Sequence, residues 1–245
     1  MNVHGPSLGI GAGIAVISIL AAFFAMDSLV SSTQPLLIED LTVKPTVQSA
    51  STPDPSQEIS SAVFTNNASP ILGDKNAPIT LVEFGDYQCF FCNKFFHETE
   101  EKIVNEYVRT GKVKIIFKDY TIIGQDSITA AHGSHCADEQ GLGLFWDYHN
   151  ILYDNWNGEN NGWASPENIV EFARDLDLDI DQFTECMQEK RHQSKITASN
   201  QDASTLGLTG TPAFFVIGKD NQISKIQGAQ PYEVFQRIFD SELEK

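Results

Sequence analysis

Two hydrophobic periods alternate along the C-terminal two-thirds of this chain. From Ile79 to Phe84 the run Ile-Thr-Leu-Val-Glu-Phe is short, rich in β-formers and closed by Gly85, which predicts a buried strand. From Phe91 the period becomes helical. Phe95, Phe96, Ile103, Val104, Tyr107 and Val108 recur on one side, and Glu98, Glu100, Glu101 and Lys102 fall on the other. Gly111 ends that pattern, and Lys112–Lys118 supplies a second strand through Val113, Ile115, Ile116 and Phe117. Strand, helix and strand at this spacing make a βαβ unit, with parallel strands and a right-handed crossover as the rule.

The next stretch, from Gln125 to about Leu206, is helical in pattern. Ala130, Ala131 and Ala137 mark one segment; Leu144, Phe145, Trp146, Tyr148, Ile151 and Leu152 mark another. Ser165-Pro166-Glu167 is a helix start, with a capping hydroxyl, a first-turn proline and a favourable charge. Ile169, Phe172, Ala173 and Leu176 follow as an apolar stripe, and Phe183 and Met187 lie on a further segment. Strand-like runs then return. Ala213–Ile217 and Gln222–Ile226 flank a Gly218–Asn221 turn, and Val234, Phe235, Ile238 and Phe239 mark a closing helix. A helical subdomain inserted at about 125–206 into an α/β unit with a mixed sheet accounts for this order.

The N-terminal part has a different organisation. Met1–Ser7 is a short tail, and Leu8–Met26 is an uncharged, almost wholly apolar run of 19 residues. About 20 helical residues cross the hydrocarbon core of a bilayer, so this is a transmembrane anchor. A cleaved signal segment is the other reading, but the tail lacks Lys and Arg and no small-x-small site closes the run. From Asp27 to Ser69 the composition turns to Ser, Thr, Pro and Gln without a hydrophobic period, as expected of a flexible linker. The folded domain is expected over 70–245. The net charge of −17 leaves no basic patch for nucleic acid.

The candidate chemistry is Cys89-Phe90-Phe91-Cys92. It follows the first strand and opens the first helix. Positions i and i+3 share a helix face, about 5–6 Å apart, within reach of a disulfide. The helix N-terminus offers free N–H groups and partial positive charge, which favour a thiolate on the first cysteine. A redox-active dithiol follows from this arrangement. Half of a zinc site, or an inert bridge, uses the same spacing. Asn93 after Cys92 does not fit haem attachment. Paired cysteines persist outside the reducing cytosol, so the domain is expected on the extracytoplasmic side of the membrane.

From Pro70 onward the chain resembles the DsbA-like thiol–disulfide oxidoreductases. The likeness rests on Val82-Glu83-Phe84 ahead of Cys89, on Cys89-Phe90-Phe91-Cys92, on Glu139-Gln140-Gly141 with Phe145-Trp146, and on Gly210-Thr211-Pro212-Ala213-Phe214-Phe215. It implies an α/β, thioredoxin-like mixed sheet with an inserted helical subdomain; the single N-terminal transmembrane helix and linker expected ahead of it here are not part of the likeness. It implies that Cys89 is the exposed attacking thiol and Cys92 the buried resolving one. Pro212 would be cis and face the dithiol, with the Thr211 backbone pairing to a bound peptide. Glu83 would relay protons to the buried thiol, and Lys118 is a possible partner for it. Cys136 and Cys186, both in the insertion, would form a structural disulfide, worth about 4 kcal/mol for a loop of about 50 residues in the chain-entropy model.

One departure stands out. Relatives commonly carry Pro-His between the cysteines, where this chain has Phe90-Phe91. Those rings either form an apolar lip for unfolded polypeptide or pack partly inside. The expected activity is disulfide formation in substrate proteins by a membrane-tethered enzyme. Reduced or unfolded secreted proteins are its substrates, and a membrane quinone-linked thiol oxidase would reoxidise it. No cofactor and no metal is called for. A reductase or isomerase of the same fold, or a non-catalytic module holding a soft metal, are the alternatives.

Overall fold

The computed structural model describes Ala62–Lys245; the tail 1–7, the apolar span Leu8–Met26 and the tether up to residue 61 lie outside the described residues. A four-stranded mixed sheet carries the fold, in the order β2-β1-β3-β4. β1 (Ile79–Gly85) pairs in parallel with β2 (Val113–Asp119) and antiparallel with β3 (Ala213–Ile217), which pairs antiparallel with β4 (Ile223–Gln227). β1 is buried on both faces, which is why its sequence is a nearly continuous apolar run. β4 lies at the edge and alternates, with Ile223, Lys225 and Gln227 exposed on one face and Ile226 buried on the other.

Side chains along a strand point to opposite faces in turn, so β1 serves two cores. Ile79 and Leu81 face the larger one, with Cys92, Phe95, Ile103, Phe214 and Phe235. Val82 and Phe84 face the smaller one, with Phe64, Ile116, Ala203, Leu208 and Phe215. The helix joining β1 to β2 is not regular. It runs as α2 (Phe90–Phe95), a π turn over Phe96–Glu100, α3 (Glu101–Ile103) and a second π turn over Val104–Val108.

A short helix, α1 (Ala62–Thr65), contributes Phe64 to the smaller core, 4.8 Å from Phe215 between ring centroids. Leu72 bridges to Ile115 on β2. The packed fold therefore starts ahead of Pro70, inside the stretch whose composition reads as linker. Phe64, with Val63 and Ala68 packed beside it, is too short an apolar group to show a period.

Five helices follow β2: α4 (Gln125–Asp138), α5 (Leu144–Asp154), α6 (Pro166–Asp175), α7 (Ile180–Glu189) and α8 (Gln193–Thr205). Two of them start on side-chain caps, the Ser165 hydroxyl accepting from the Asn168 N–H and the Asp179 carboxylate from the Gln182 N–H. Cys136 of α4 and Cys186 of α7 are joined by a disulfide, their Cα atoms 5.8 Å apart. His135 Nε2 lies 2.7 Å from Asp119 Oδ2, tying α4 to the end of β2. α9 (Tyr232–Leu243) closes the fold with Phe235 and Phe239 buried. Among the described residues, no helix is long and apolar enough to cross a membrane.

Candidate functional site

The site begins where β1 ends. The Asp86 carboxylate accepts from the backbone N–H of Gln88 (2.9 Å), Ile122 (2.8 Å) and Ile123 (3.1 Å). The Cys89 N–H donates to the Asp86 carbonyl at 2.9 Å. This turn, an Asx turn by its first contact, directs the chain into α2 with Cys89 as the N-cap residue in extended conformation. No side chain caps the helix through Cys89, so the sulfur faces the first N–H groups of the helix, those of Phe91 and Cys92 bonding to it. Cys89 and Cys92 are both free and both buried; where the likeness implies an exposed Cys89, only 6% of it is accessible, because the Thr211 carbonyl lies against its sulfur.

The two thiols are unlike. The Cys92 thiol donates to Cys89 Sγ, the largest of the causes that bring Cys89 down to about 6; burial opposes it, and the Thr211 side chain and the Cys92 and Phe91 N–H groups add to it. Burial pushes Cys92 well above the ordinary thiol range, with the hydrogen bond to Cys89 and the Cys89 charge acting the same way. At neutral pH the pair is one thiolate beside one thiol. Only the thiolate is a nucleophile.

Glu83 lies on β1 on the face that looks toward Cys92, 2% exposed. Burial first, then the charge of Glu100, then that of Cys89, raise its carboxyl well above the usual range. The expected Glu83–Lys118 pairing is not formed. Glu83 is in register with Phe117, and Lys118 with Phe84, so Lys118 points into the opposite core. There the Lys118 ammonium bonds Asp202 Oδ2 at 2.5 Å and the carbonyls of Asn66 (2.5 Å) and Val63 (3.0 Å), anchoring α1. Glu100 is a second correction. Helical spacing puts it on the solvent side, whereas it is 5% exposed with Oε2 unpartnered.

Opposite the cysteines stands the cis Thr211–Pro212 bond that opens β3. Cys89 Sγ lies 3.4 Å from the Thr211 carbonyl oxygen. Phe90 and Phe91 are 52% and 55% exposed, in edge contact with each other, and Phe90 also touches Trp156. The Glu159 carboxylate accepts from the Phe90 N–H at 3.2 Å. Cys89, Cys92, Glu83, Thr211, Pro212 and the Phe90-Phe91 pair thus share one region, and Cys136–Cys186 lies apart from it in the insertion. His192 is near that disulfide, but its sulfurs are bonded to each other.

A family model described as thioredoxin matches residues 65–241. The chain belongs to the thioredoxin family. Within that family it is DsbA-like. A probable disulfide bond formation protein D from Bacillus cereus is 25% identical over 158 residues, covering 64% of this chain and 73% of that protein. Alpha-DsbA1 from Wolbachia pipientis superposes with a TM-score of 0.62 at 26% identity, over 70% of this chain and 89% of the other. Oxidised BdbD from Bacillus subtilis gives a TM-score of 0.65 at 24% identity over 72% and 93%, a likeness of fold.

Sequence reasoning on this thioredoxin-family chain passes over Asp86, Gln88 and Glu100. Gln88 is wholly buried and bonds Ser127 Oγ through Nε2 (2.9 Å), the Asn160 N–H through Oε1 (2.6 Å) and Trp156 Nε1 through its carbonyl (2.8 Å). It clamps the insertion onto the start of α2. The Gly85-Asp86 step marks a turn in the sequence, but the partners lie 36 to 72 residues away.

Proposed function

We propose that this protein is a membrane-tethered, extracytoplasmic thiol–disulfide oxidoreductase that introduces disulfides into substrate proteins through Cys89 and Cys92. The observation that carries the reading is the asymmetry of the pair: a low-lying thiolate at a helix start, with a high-lying, buried thiol hydrogen-bonded to it. An oxidase of this kind starts from the Cys89–Cys92 disulfide. A substrate thiolate attacks Cys89 Sγ, the S–S bond breaks, and the electron pair leaves on Cys92 Sγ. A second substrate thiolate attacks the substrate sulfur of the mixed disulfide and expels Cys89 as thiolate. The acidity of Cys89 makes it a good leaving group in that last step, so disulfide donation is the favoured direction.

Glu83 supplies and takes up the proton of Cys92, which its burial beside the thiol supports. Thr211 and Pro212 receive an extended substrate segment next to Cys89, in strand-addition fashion. The exposed Phe90 and Phe91 rings offer apolar contact to unfolded chain. Anchoring rests on the length of the Leu8–Met26 run, and the extracytoplasmic site on the relatives named as disulfide bond formation proteins and on paired cysteines in the insertion. A membrane quinone-linked thiol oxidase would restore the disulfide.

The oxidised protein, mixed with one equivalent of a reduced peptide bearing two cysteines, oxidises the peptide stoichiometrically. The C92S variant, offered an activated disulfide, traps it on Cys89. A peptide left reduced, together with a glutathione titration that places the Cys89–Cys92 couple among reducing dithiols, overturns the oxidase reading.

A further inference from the structure

Glu100 is a buried acid that takes no part in the exchange at the sulfurs. Glu100 sits on the helix that carries the dithiol, inside the protein, with Oε2 lacking any hydrogen-bond partner. A buried polar atom left unpaired is costly, more so when charged, so such a group calls for an explanation. Its neighbours on the helix behave ordinarily: Glu98 and Glu101 are exposed.

The helix itself turns Glu100 inward. Eight residues separate it from Cys92, and on a regular helix of 3.6 residues per turn that spacing leaves the two about 80° apart. The π turn over Phe96–Glu100 needs more residues to complete a circle. It retards the winding and brings Glu100 back toward the face of Cys92, Phe95 and Thr99, all buried. π turns of this kind recur at functional sites. On its inner side Glu100 is near enough to Glu83 for its charge to be the second cause raising that carboxyl.

On its outer side Glu100 lines a depression of about 470 Å³, with Phe96, Val104 and Asn150 among the walls. The charged and titratable groups around it are Glu83 and Tyr87 on the sheet side, His97, Glu101 and Arg109 on its own helix, and Asp154 at the end of α5. The side chain therefore stands between the buried acid next to the dithiol and a solvent-facing hollow.

We propose that Glu100 is the outer of two buried carboxyls that carry a proton between Cys92 and solvent, handing it to and from Glu83 on one side and the hollow on the other. This rests on the reading of Glu83 as proton relay. When attack on Cys89 breaks the S–S bond, Cys92 Sγ holds the electron pair. It takes a proton from Glu83, Glu83 is reprotonated by Glu100, and Glu100 by solvent. In reoxidation the Cys92 thiol gives its proton to Glu83, Glu83 passes one to Glu100, and Glu100 releases one to solvent. Cys92 Sγ meanwhile bonds to Cys89 Sγ and expels the thiolate of the oxidant. Burial raises Glu100 to about 8, so near neutrality it can both give and accept. Glu100 acts through Glu83 and is a positioning residue, not a contact of the reacting sulfurs.

Oxidation of the reduced full-length protein by glutathione disulfide separates the steps. At low oxidant the rate reports attack by Cys89; at saturation it reports attack by Cys92, the step that releases a proton. E100Q keeps the low-oxidant rate and lowers the saturating rate about tenfold, a modest share of what proton transfer contributes. It also removes the rise of that rate near pH 8, and formate restores the rate of E100A through the hollow, which a packing defect would not allow. E83Q lowers the saturating rate as well. A slow E83Q with a wild-type E100Q profile overturns the role of Glu100 and leaves that of Glu83 standing. A wild-type E83Q overturns both.

Discussion

The hydrogen bond between the two thiols gives the sharpest handle on the chemistry. It is the largest cause of Cys89 lying at about 6 instead of 9.0. The C92A variant deletes the donor and leaves the helix N-terminus and the Thr211 side chain in place. A hydrogen bond to a charged group is worth about 1.5–3 kcal/mol, and 1.36 kcal/mol is one unit, so Cys89 should rise by about one to two units. It would then titrate between about 7 and 8, and at pH 7 the thiolate share would fall from about nine-tenths to between one-half and one-tenth. C92S keeps a donor at the same place and should recover most of the depression.

The assay is the rate of iodoacetamide alkylation across pH 4 to 10, checked by thiolate absorbance near 240 nm. At pH 7 the C92A rate should drop about two- to tenfold, in step with the thiolate share. The sign also fixes a stability window. Cys89 is depressed in the folded state, so its ionisation stabilises the reduced fold fully above about 9 and not at all below about 6. The whole gain is at most about 4 kcal/mol, less what solvent screening removes. Cys92, raised by burial, enters only above the ordinary thiol range and does not disturb that window. C92A should narrow it from the acid side. A C92A protein that still titrates at about 6 would refute the reasoning and leave the helix N–H groups and the Thr211 side chain as the causes.

Three further outcomes follow from the same structure. Replacing both Cys136 and Cys186 by Ala opens a loop with a sequence separation of 50 and should cost about 4 kcal/mol in guanidinium unfolding, with Cys89 alkylation unchanged. K118M should destabilise by about 3–5 kcal/mol, because it leaves Asp202 and two carbonyls without their cation; limited proteolysis should then cut ahead of Pro70. F90S/F91S should leave stability within about 0.5 kcal/mol, both rings being more than half exposed, yet raise KM for unfolded polypeptide several-fold while exchange with glutathione stays the same.

What the sequence made legible, and what it hid, divides along a physical line. Strands, helices and the insertion announce themselves by period, since each buries a repeated apolar face against a core. The cysteines at the start of α2 are visible because nucleophile, spacing and helix start are all local. Lys118 shows the limit. It is one residue from Phe117, and which face it takes depends on the parallel register of β2 against β1, set by packing at a distance. Glu100 shows a second limit. A regular helix directs it outward, and the π turn that redirects it leaves no mark in a 3.6-residue pattern. Asp86 and Gln88 illustrate a third, for their meaning lies in partners on the loop after β2, on α4 and on the loop after α5. The residues that period-reading misses are thus polar groups inside the fold. A polar side chain contributes nothing to a hydrophobic period, and its burial is held by partners remote in sequence. The dithiol was findable because its chemistry is local, whereas the groups that would govern its proton are not.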